Sequence, residues 1–413
     1  MEKISRTRLI FILGVLSAIG PFSIDMYLPG FPVIARDLQT TPEMVAYSLS
    51  SYFIGICAGQ MVIGPLLDRF GRKPPLIGGL VLYIISSIGC AWAPTIEALI
   101  FFRFFQAAGG CAGMVAPRAI IRDVFPVEEN ARIFSLLILI IGVSPIIAPT
   151  AGGYITAHFG WHSIFLLLAA ITLIISLVVI FALPESKGAD PGFSLKPRPI
   201  IGSFIKVITN NQFFTYALAG SLASAGLYAY LAGSPFVFME LYHVSAQHYG
   251  WIFAIVAGGL ITSSQVNNLL LKRYRSEQIV PVVLSVQCII GIGLVAGTLA
   301  GLLNLYSTVG GIFFYLCCQG FSFPNSSALS MAPFTKEAGS ASALLGSIQM
   351  ALGAFASALV GVFSDGSALP MVAVMAVCSL AAFTILMIGR KILVNRIREI
   401  DMREETLEMI EKV

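Results

Sequence analysis

The stretch from residue 162 to residue 183, HSIFLLLAAITLIISLVVIFAL, contains no Asp, Glu, Lys or Arg and is almost wholly apolar. An α-helix rises about 1.5 Å per residue, so about 20 apolar residues cross the ~30 Å hydrocarbon core of a bilayer. The stretch therefore predicts a transmembrane helix. Runs of the same kind recur along the whole chain.

The composition of the chain is that of a membrane protein. Of its 413 residues, 57% are hydrophobic and only 11% are charged, against about 25% charged residues in an average soluble domain. A soluble domain of this length needs more polar surface than these residues supply. This excludes a water-soluble globular protein and a disordered chain. The net charge of +4 is small and dispersed, so no nucleic-acid partner is predicted.

Twelve apolar runs are long enough to span a bilayer. They cover residues 8–31, 43–67, 75–93, 96–121, 132–157, 162–183, 212–239, 245–271, 279–300, 305–331, 340–363 and 369–389. A Pro-, Gly- and Lys-rich linker, 184–211, separates an N-terminal half, 1–183, from a C-terminal half, 212–389, and a mixed-charge tail, 390–413, has helical spacing. The predicted fold class is an all-α membrane protein with two pseudo-symmetric halves of six helices. Transporters of this architecture bind substrate between the halves, near the bilayer midplane.

The basic residues predict the orientation. With the N-terminus in the cytoplasm, all but three Lys and Arg residues fall in cytoplasmic segments. The exceptions are Arg103 and Arg118, inside span 4, and Arg36, in an outside loop. Because cytoplasmic loops carry an excess of Lys and Arg, both termini are expected in the cytoplasm. The first helix is expected to be an uncleaved signal-anchor, since no small-residue cleavage site follows the basic start.

Asp25 and Arg103 are charged residues inside the spans of the first half. At about 1.5 Å per residue, Asp25 in span 1 and Arg103 in span 4 both lie on the order of 10 Å below the outer surface. Charges inside a membrane are costly and mark functional candidates. One interpretation is a fixed ion pair that only holds the helices together. The other is that Asp25 titrates, and that movement of Arg103 away from it releases or admits a proton.

The loop between spans 2 and 3, residues 64–74, reads GPLLDRFGRKP. An acid at a helix C-terminal end is unfavourable without a basic partner nearby, and the basic residues that follow supply one. Glycines at both ends of the motif permit close helix approach and a tight turn. The pattern predicts a charge clamp between cytoplasmic helix ends that breaks and re-forms as the halves rock. Its residues are Gly64, Asp68, Arg69, Gly71, Arg72 and Lys73.

These patterns resemble the major facilitator superfamily. G-x-x-x-D-R-x-G-R-K resembles its signature loop between spans 2 and 3. Arg103 and Gln106, followed by Gly109 and Gly110, resemble its span-4 motif, in which the arginine is associated with proton coupling; Ala107 replaces a usual glycine. SIDMYLP, residues 23–29, resembles the hallmark of the bicyclomycin-resistance (Bcr/CflA-type) branch of multidrug efflux proteins. The resemblance implies that the acid in span 1 carries protons and contacts substrate.

Span 5 contains GVSPIIAPTAGG, in which Gly142, Pro145, Pro149, Gly152 and Gly153 resemble the motif that marks drug/proton antiporters over symporters and uniporters. Physically, a Gly/Pro-rich face kinks a helix and permits close packing.

Aromatic and amide residues inside the spans are candidates for a substrate pocket, because drug recognition requires an apolar site with a few hydrogen-bonding groups. Each of them is alternatively a packing or lipid-facing residue. The predicted substrate-binding set is Asp25, Tyr27, Tyr52, Arg103, Gln106, Tyr228, Phe236, Phe314 and Gln349.

The sequence therefore predicts a proton-coupled multidrug efflux antiporter of the bacterial inner membrane, a monomer that exports small amphipathic antimicrobials by alternating access. The alternative is an importer or facilitator of a small nutrient on the same fold. An enzyme is not predicted, because P-loop, HExxH and GxSxG motifs are missing. No metal is expected, because the chain has no CxxC pair and no cluster with metal-ligand spacing. No cofactor is expected either, since the proton gradient would drive transport. Whether Glu240, Asp37 or Arg118 joins the proton path stays open.

Overall fold

The computed structural model describes residues 6–125, 127–190, 192, 197–334 and 338–411. These residues form fourteen α-helices and contain no β-strand. A 3-10 turn, Leu28–Gly30, precedes α2, and a π-helical turn, Phe236–Leu241, follows α9. The helices are α1 (Arg6–Asp25), α2 (Phe31–Asp37), α3 (Pro42–Phe70), α4 (Lys73–Ala91), α5 (Ile96–Val124), α6 (Val127–Phe159), α7 (His162–Ala182), α8 (Pro197–Ile208), α9 (Asn211–Pro235), α10 (Ala246–Leu270), α11 (Ser276–Leu299), α12 (Leu305–Met331), α13 (Ala338–Val362) and α14 (Leu369–Glu411).

The twelve predicted spans correspond to α1, α3 to α7 and α9 to α14. Within the described residues, eleven of them are long and apolar enough to cross a membrane. The remaining one, α12, has 27 residues, but its later turns carry the buried polar residues Gln319, Ser322 and Asn325. It packs inside the bundle against α9, α10 and α11. The all-α fold with twelve spans is confirmed.

The first predicted span, 8–31, is not one continuous helix. α1 ends at Asp25, and the chain passes through a turn at residues 26–27 before the 3-10 turn and α2. Pro29 and Pro32 have no backbone N–H and so cannot extend an α-helical hydrogen-bond ladder. The break leaves Asp25 at a helix end inside the bundle, where it is buried.

The two ends of the bundle differ in charge. We call the end of the bundle that carries the start of α1 and the end of α14 the basic face. The α3–α4, α5–α6, α7–α9 and α10–α11 connections lie at the same end. The opposite end is the far face. There Thr41, Thr95, Ser245 and Asn304 cap α3, α5, α10 and α12, each accepting a hydrogen bond from the backbone N–H three residues on. Such caps satisfy a free N–H of the first helical turn and fix where these helices begin.

Hydrophobic cores divide the bundle into two halves. One cluster lies wholly in the first half, between Leu9 and Leu183. Two smaller clusters, which include Val207 and Leu386, lie in the linker and the second half. A fourth cluster combines residues of both halves, among them Tyr27 and Tyr230. The two halves therefore have separate cores and share one apolar seam.

The seam is closed at the far face. Ser364, just after α13, donates to Glu43 of α3 at 2.9 Å, and Ser50 of α3 donates to Ser357 of α13 at 2.8 Å. Toward the basic face the contact ends abruptly. A Cβ at Gly346 would stand 2.1 Å from the Gln60 side chain of α3, whereas a Cβ at Gly64, one turn further along the same side of α3, would meet nothing within 4 Å. The halves therefore meet at the far face and diverge toward the basic face.

The linker and the tail are largely helical. α8 occupies part of the predicted linker 184–211, and α9 begins directly after it at Asn211. α14 runs unbroken from the twelfth span to Glu411. The tail that the sequence sets apart at residue 390 thus continues the last transmembrane helix.

Candidate functional site

Arg103 of α5 lies in an aromatic cage in the core of the first half, and its side chain is fully buried. The guanidinium carbon stands 4.1 Å from the ring centre of Tyr52, 4.7 Å from that of Tyr27 and 5.7 Å from that of Phe165. A cation over an aromatic face is stabilised by the ring quadrupole. The cage thus supports a positive charge without an acidic neighbour.

A short polar chain orients this guanidinium. Nη1 of Arg103 donates to Oε1 of Gln106 at 2.6 Å, and Nε2 of Gln106 donates to Oγ of Ser87 at 2.7 Å. The hydroxyl of Tyr27 is hydrogen-bonded to Ser48, which fixes that ring. Nε and Nη2 of Arg103 have no hydrogen-bond partner. The site therefore holds two buried N–H-bearing nitrogens with no acceptor.

Asp25 is buried at the end of α1 but does not contact Arg103. The described residues contain no ion pair or hydrogen bond between the two, so the predicted pair is not formed in this structure. Tyr27, two residues further along and so on a different side of the helix, lies over the guanidinium instead. The 3-10 turn that follows Asp25 packs against α9 and α10 of the second half, and Tyr27 shares an apolar cluster with Tyr230 and Tyr249. Asp25 therefore lies at the seam between the halves.

The aromatic residues opposite Asp25 form a small cluster in the second half. The rings of Tyr230 and Phe253 stack at 5.9 Å, and Tyr249 lies 6.1 Å from Phe253. The Tyr249 hydroxyl is hydrogen-bonded to Ser234 at 2.8 Å, whereas the buried Tyr230 hydroxyl has no partner. One free hydroxyl and one uncompensated carboxyl thus lie in the same buried region.

The loop between α3 and α4 forms a charge clamp at the basic face. Nε of Arg72 donates to Oδ2 of Asp123 at 2.7 Å and Nη2 to Oδ1 at 3.2 Å, a two-pronged pair, while Nη1 donates to Asp68 at 2.8 Å. Burial opposes the charge of Arg72, but the hydrogen bonds and negative charges of the two carboxylates outweigh it. The pKa of the guanidinium is therefore raised above its usual value.

The clamp also holds the start of the linker. Oε1 of Glu185 accepts from the backbone N–H of Arg72 at 2.7 Å, and Oε2 accepts from that of Lys73 at 3.1 Å. A carboxylate at the first turn of α4 is favoured by the helix dipole. Gly71 has φ +86°, a conformation that favours glycine. Arg69 donates to the carbonyl of Asp190 at 3.2 Å. These contacts join α3, α4 and α5 to the segment after α7.

The glycines of the span-5 motif mediate close approach of α6 to its neighbours. A Cβ at Gly152 would stand 2.0 Å from the carbonyl oxygen of Met26, and one at Gly153 would stand 2.9 Å from that of Ala246 in the second half. Pro145 and Pro149 lie inside α6. At Gly142 a Cβ would meet only the side chain of Ile261, at 3.6 Å. The motif packs α6 against both the break in the first span and α10.

The remaining members of the predicted substrate set are not brought to one place. Tyr228 lies at the seam, with its ring 4.6 Å from that of Phe53 of α3. Phe236 lines a far-face cleft between the halves. Gln349 is half-buried on α13. Phe314 is 61% exposed on the outside of α12, while its neighbour Tyr315 is buried. The assignment of Phe314 to the pocket is therefore wrong for this structure, because its side chain faces away from the interior.

The structure places the three charged residues whose roles the sequence left open. Asp37 accepts a hydrogen bond from Trp161 Nε1 at 2.8 Å. Glu240 is 3.7 Å from Arg36 in an exposed far-face ion pair. Arg118 is exposed toward the basic end of α5. None of the three lies in the caged site around Arg103.

A sequence model of the Major Facilitator Superfamily matches residues 11–358 of this chain. The chain belongs to the Major Facilitator Superfamily. Among its relatives, the uncharacterized MFS-type transporter YdgK of Bacillus subtilis is 34% identical over 377 residues, which cover 90% of this chain and 92% of that protein. The bicyclomycin resistance protein homolog of Haemophilus influenzae is 29% identical, and the multidrug resistance protein MdtL of Escherichia coli is 31% identical. Both alignments cover 89% of this chain and 92% of the relative. The predicted resemblance to the bicyclomycin-resistance branch is confirmed.

Solved structures of the superfamily share the fold. A D-xylose-proton symporter superposes with a TM-score of 0.69 at 15% identity, covering 92% of this chain and 97% of that one. A bacterial homolog of the human lysosomal transporter Spinster, inward-facing and occupied, superposes with a TM-score of 0.70 at 14% identity, covering 96% and 98%. At these identities the likeness shows the fold alone.

Several residues of this major facilitator site were missed by sequence reasoning. Asp123 and Glu185 complete the clamp, and Phe165 and Ser87 complete the arginine cage. An acid at the basic end of span 4 was a usable signal for Asp123, because an isolated acid among basic residues implies a partner. Phe165 and Ser87 had no distinguishing signal, since each is one of many similar residues in its helix.

We expect Arg103→Lys to destabilise the protein. The ammonium group keeps the charge but loses the planar guanidinium that donates to Gln106 while lying over Tyr52. The expected loss is about 1–2 kcal/mol, the value of one desolvated cation–π contact and a charge-assisted hydrogen bond. Thermal unfolding in detergent measures it. Arg36→Lys, in the exposed pair with Glu240, is the matched control and should change little. Equal stability of both variants would argue against the cage.

Asp123→Asn is expected to weaken the clamp. The change preserves the shape of the side chain but leaves the buried Arg72 guanidinium with only Asp68 as a charged partner. Removal of one partner of such a pair costs about 1–3 kcal/mol, to be measured by thermal unfolding. Glu97→Gln, at the exposed far-face end of the same helix, is the control. The clamp has no structural role if the two variants unfold alike.

Proposed function

We propose that the protein is a proton-coupled antiporter that exports small amphipathic antimicrobials from the bacterial cytoplasm by alternating access. The observation that carries the proposal is the position of Asp25, an uncompensated carboxyl buried where the two halves meet. Buried ionisable groups in membrane proteins mark ion and substrate pathways. The printed names of the relatives, bicyclomycin resistance and multidrug resistance, support drugs as the substrates.

The basic face is proposed to be cytoplasmic, with both chain termini on that side, because Lys and Arg concentrate there. The structure then corresponds to a state closed to the outside. In this state Arg103 is held by its cage and Asp25 lies against the second half. Opening of the far face separates Asp25 from Tyr230 and Tyr249, since these belong to the other half.

The proposed cycle uses this change of surroundings. An external proton binds Asp25 in the outward-open state and displaces the drug. The proton leaves to the cytoplasm once the far face has closed, and the next drug molecule binds. The inward proton-motive force then drives export. Tyr27, Tyr52 and Gln106 are proposed to contact the substrate beside Arg103, and its unpaired Nε and Nη2 nitrogens would donate to acceptor oxygens on the drug.

The decisive experiment measures drug-dependent proton movement in proteoliposomes containing a pH-sensitive dye. An antiporter releases protons from the drug-free side when drug is added to the opposite side, and a drug-sensitive host expressing it tolerates more drug. A nutrient importer on the same fold moves no protons in response to drugs and gives no tolerance. Either of those negative results would exclude the proposed function.

A further inference from the structure

Arg118 is exposed although it lies on an interior side of α5. Met114, one turn before it, packs beside Gly20 of α1, where a Cβ would stand 3.1 Å from the methionine sulfur. Cys111, two turns before it, packs against Gly59 of α3, where a Cβ would stand 2.7 Å from the cysteine Cβ. Residues four and seven apart share one side of a helix. Arg118 therefore lies on the side of α5 that faces the groove between α1 and α3.

The outer side of α5 is a different one. Phe101, which is 58% exposed, precedes Arg118 by 17 residues, a separation that places the two side chains about 100° apart around the helix. Arg118 also lies six residues before the end of α5 at Val124, a depth of about 9 Å. A charge at this depth is costly against lipid. The exposed guanidinium therefore faces an open space inside the bundle.

That space is the opening between the two halves at the basic face. α3 and α5 both begin at the far face and end at the basic face. Gly64 is five residues beyond Gly59, and Arg118 is seven residues beyond Cys111, about 7.5 and 10.5 Å closer to the basic face than the contact between α3 and α5. A Cβ at Gly64, and one at Gly339 in the first turn of α13, would each meet nothing within 4 Å. Arg118 thus lies at the level where the halves diverge.

The charge of Arg118 is not compensated by a described carboxylate. Arg118 forms no ion pair with the residues that the structure describes. The acids at this end of α3 and α5, Asp68 and Asp123, both bind Arg72. Arg122, one turn nearer the basic face, is a second exposed arginine outside those described ion pairs. The end of α5 therefore carries two positive charges that the described acids leave unpaired.

The second half brings no acid to this place when the opening closes. The helices of that half that pack against the first are α9, α10 and α13, and none of them contains an Asp or Glu. Alternating access closes the basic face and so buries Arg118 between the halves. A buried charge without a partner is strongly unfavourable. A bound molecule that carries a negative charge removes this cost.

We propose that Arg118 is the charged part of an entrance site for amphipathic organic anions, and that its guanidinium binds their carboxylate. This rests on the proposed function, since it takes the basic face to be the cytoplasmic entrance. A planar guanidinium binds a carboxylate through two parallel hydrogen bonds. Met114 and Val115, one turn earlier on α5, are partly buried apolar residues that contact the apolar part of the same molecule. The bound anion then compensates Arg118 as the opening closes.

The test compares two ligands that differ by one charge. They are 2-naphthoic acid, an amphipathic carboxylate at neutral pH, and its neutral methyl ester. Equilibrium dialysis of the full-length protein in phosphatidylcholine nanodiscs, with empty discs as the blank, gives both affinities. We expect the wild type to bind the acid several-fold more tightly than the ester. Arg118→Gln should bind the acid about tenfold more weakly, because a charge-assisted hydrogen bond is lost, and should bind the ester as the wild type does.

Arg273→Gln is the matched control, because it removes the same charge from the exposed α10–α11 connection. It should leave both affinities unchanged. Glu337→Gln tests the acid that precedes α13 in the sequence and lies outside the described residues; it should also leave both affinities unchanged.

Three results overturn the proposal. A wild-type protein that binds the acid no better than the ester has no anion site. An equal loss for acid and ester in Arg118→Gln assigns the arginine a structural role. Tighter binding of the acid to Glu337→Gln shows that a carboxylate of the chain itself occupies Arg118. Because no proton gradient enters the measurement, these results are distinct from those that test proton-coupled export.

Discussion

Asp25→Asn is expected to abolish drug-dependent proton movement without lowering the stability of the protein. Asparagine has the same shape but cannot bind and release a proton near neutral pH. The wild-type carboxyl is buried with no cationic partner among the described residues, so its charged form carries a desolvation cost that asparagine avoids. Proton release in proteoliposomes and thermal unfolding of the same preparation give the two readouts.

The matched control for this prediction is Asp37→Asn. Asp37 is also an acid of the first span region, but it is exposed at the far face and bonded to Trp161. Its substitution should keep proton coupling and lower stability slightly, because one hydrogen bond to a charged group is weakened. Drug-dependent proton movement that persists in Asp25→Asn, or that is lost in Asp37→Asn, would contradict the specific role of Asp25 in the proposed cycle. Loss of both coupling and folded protein in Asp25→Asn would instead indicate a structural role.

The sequence predicted the features that depend on neighbouring residues. Long apolar runs identified every span because a bilayer imposes about the same length on each helix. The clamp motif was recognisable because Asp68 and Arg72 are one helical turn apart. Asp123 was not found, since it reaches Arg72 only after three helices have folded together.

The details of the buried site were beyond sequence reasoning for a different reason. Similar depth in the membrane suggested that Asp25 and Arg103 pair, but depth does not specify the direction in which a side chain points. Asp25 and Tyr27 are two residues apart, about 200° around a helix, and Tyr27 is the residue whose side chain covers the guanidinium. The prediction for Phe314 was wrong for the same reason. Neighbouring side chains on a helix point about 100° apart, which is enough to place one in the core and the next on the surface.

The two halves join corresponding sets of three helices with different kinds of side chain. In the second half, Asn325 Nδ2 donates to Asn267 at 2.7 Å, and Ser276 donates to Asn325 Oδ1 at 2.7 Å. These residues join α10, α11 and α12, as the charge clamp joins α3, α4 and α5. The loop between α10 and α11 lacks the acid and the glycines of the loop between α3 and α4. The neutral Asn and Ser side chains join the three helices there instead. Only the first-half clamp is therefore sensitive to salt and to changes of charge.

Gly152→Ala is expected to cause a large loss of both stability and transport. The added Cβ would stand 2.0 Å from the carbonyl oxygen of Met26. This atom belongs to the backbone, so no side-chain rotation relieves the clash, and overpacking of this kind costs about 1–3 kcal/mol or more. The displaced segment is the turn that directly follows Asp25, so the proposed proton site moves with it.

Gly142→Ala is the control for this effect within the same motif. Its Cβ would meet only the Ile261 side chain, at 3.6 Å, an ordinary contact, so the variant should unfold and transport nearly as the wild type does. Thermal unfolding and drug-dependent proton release, measured on both variants, separate close packing at one glycine from a general intolerance of α6 to alanine. Wild-type behaviour of Gly152→Ala would contradict the close approach of α6 to the break in the first span. Equal damage in both variants would mean that the motif acts through the flexibility of α6, because alanine reduces backbone freedom at either position to a similar degree.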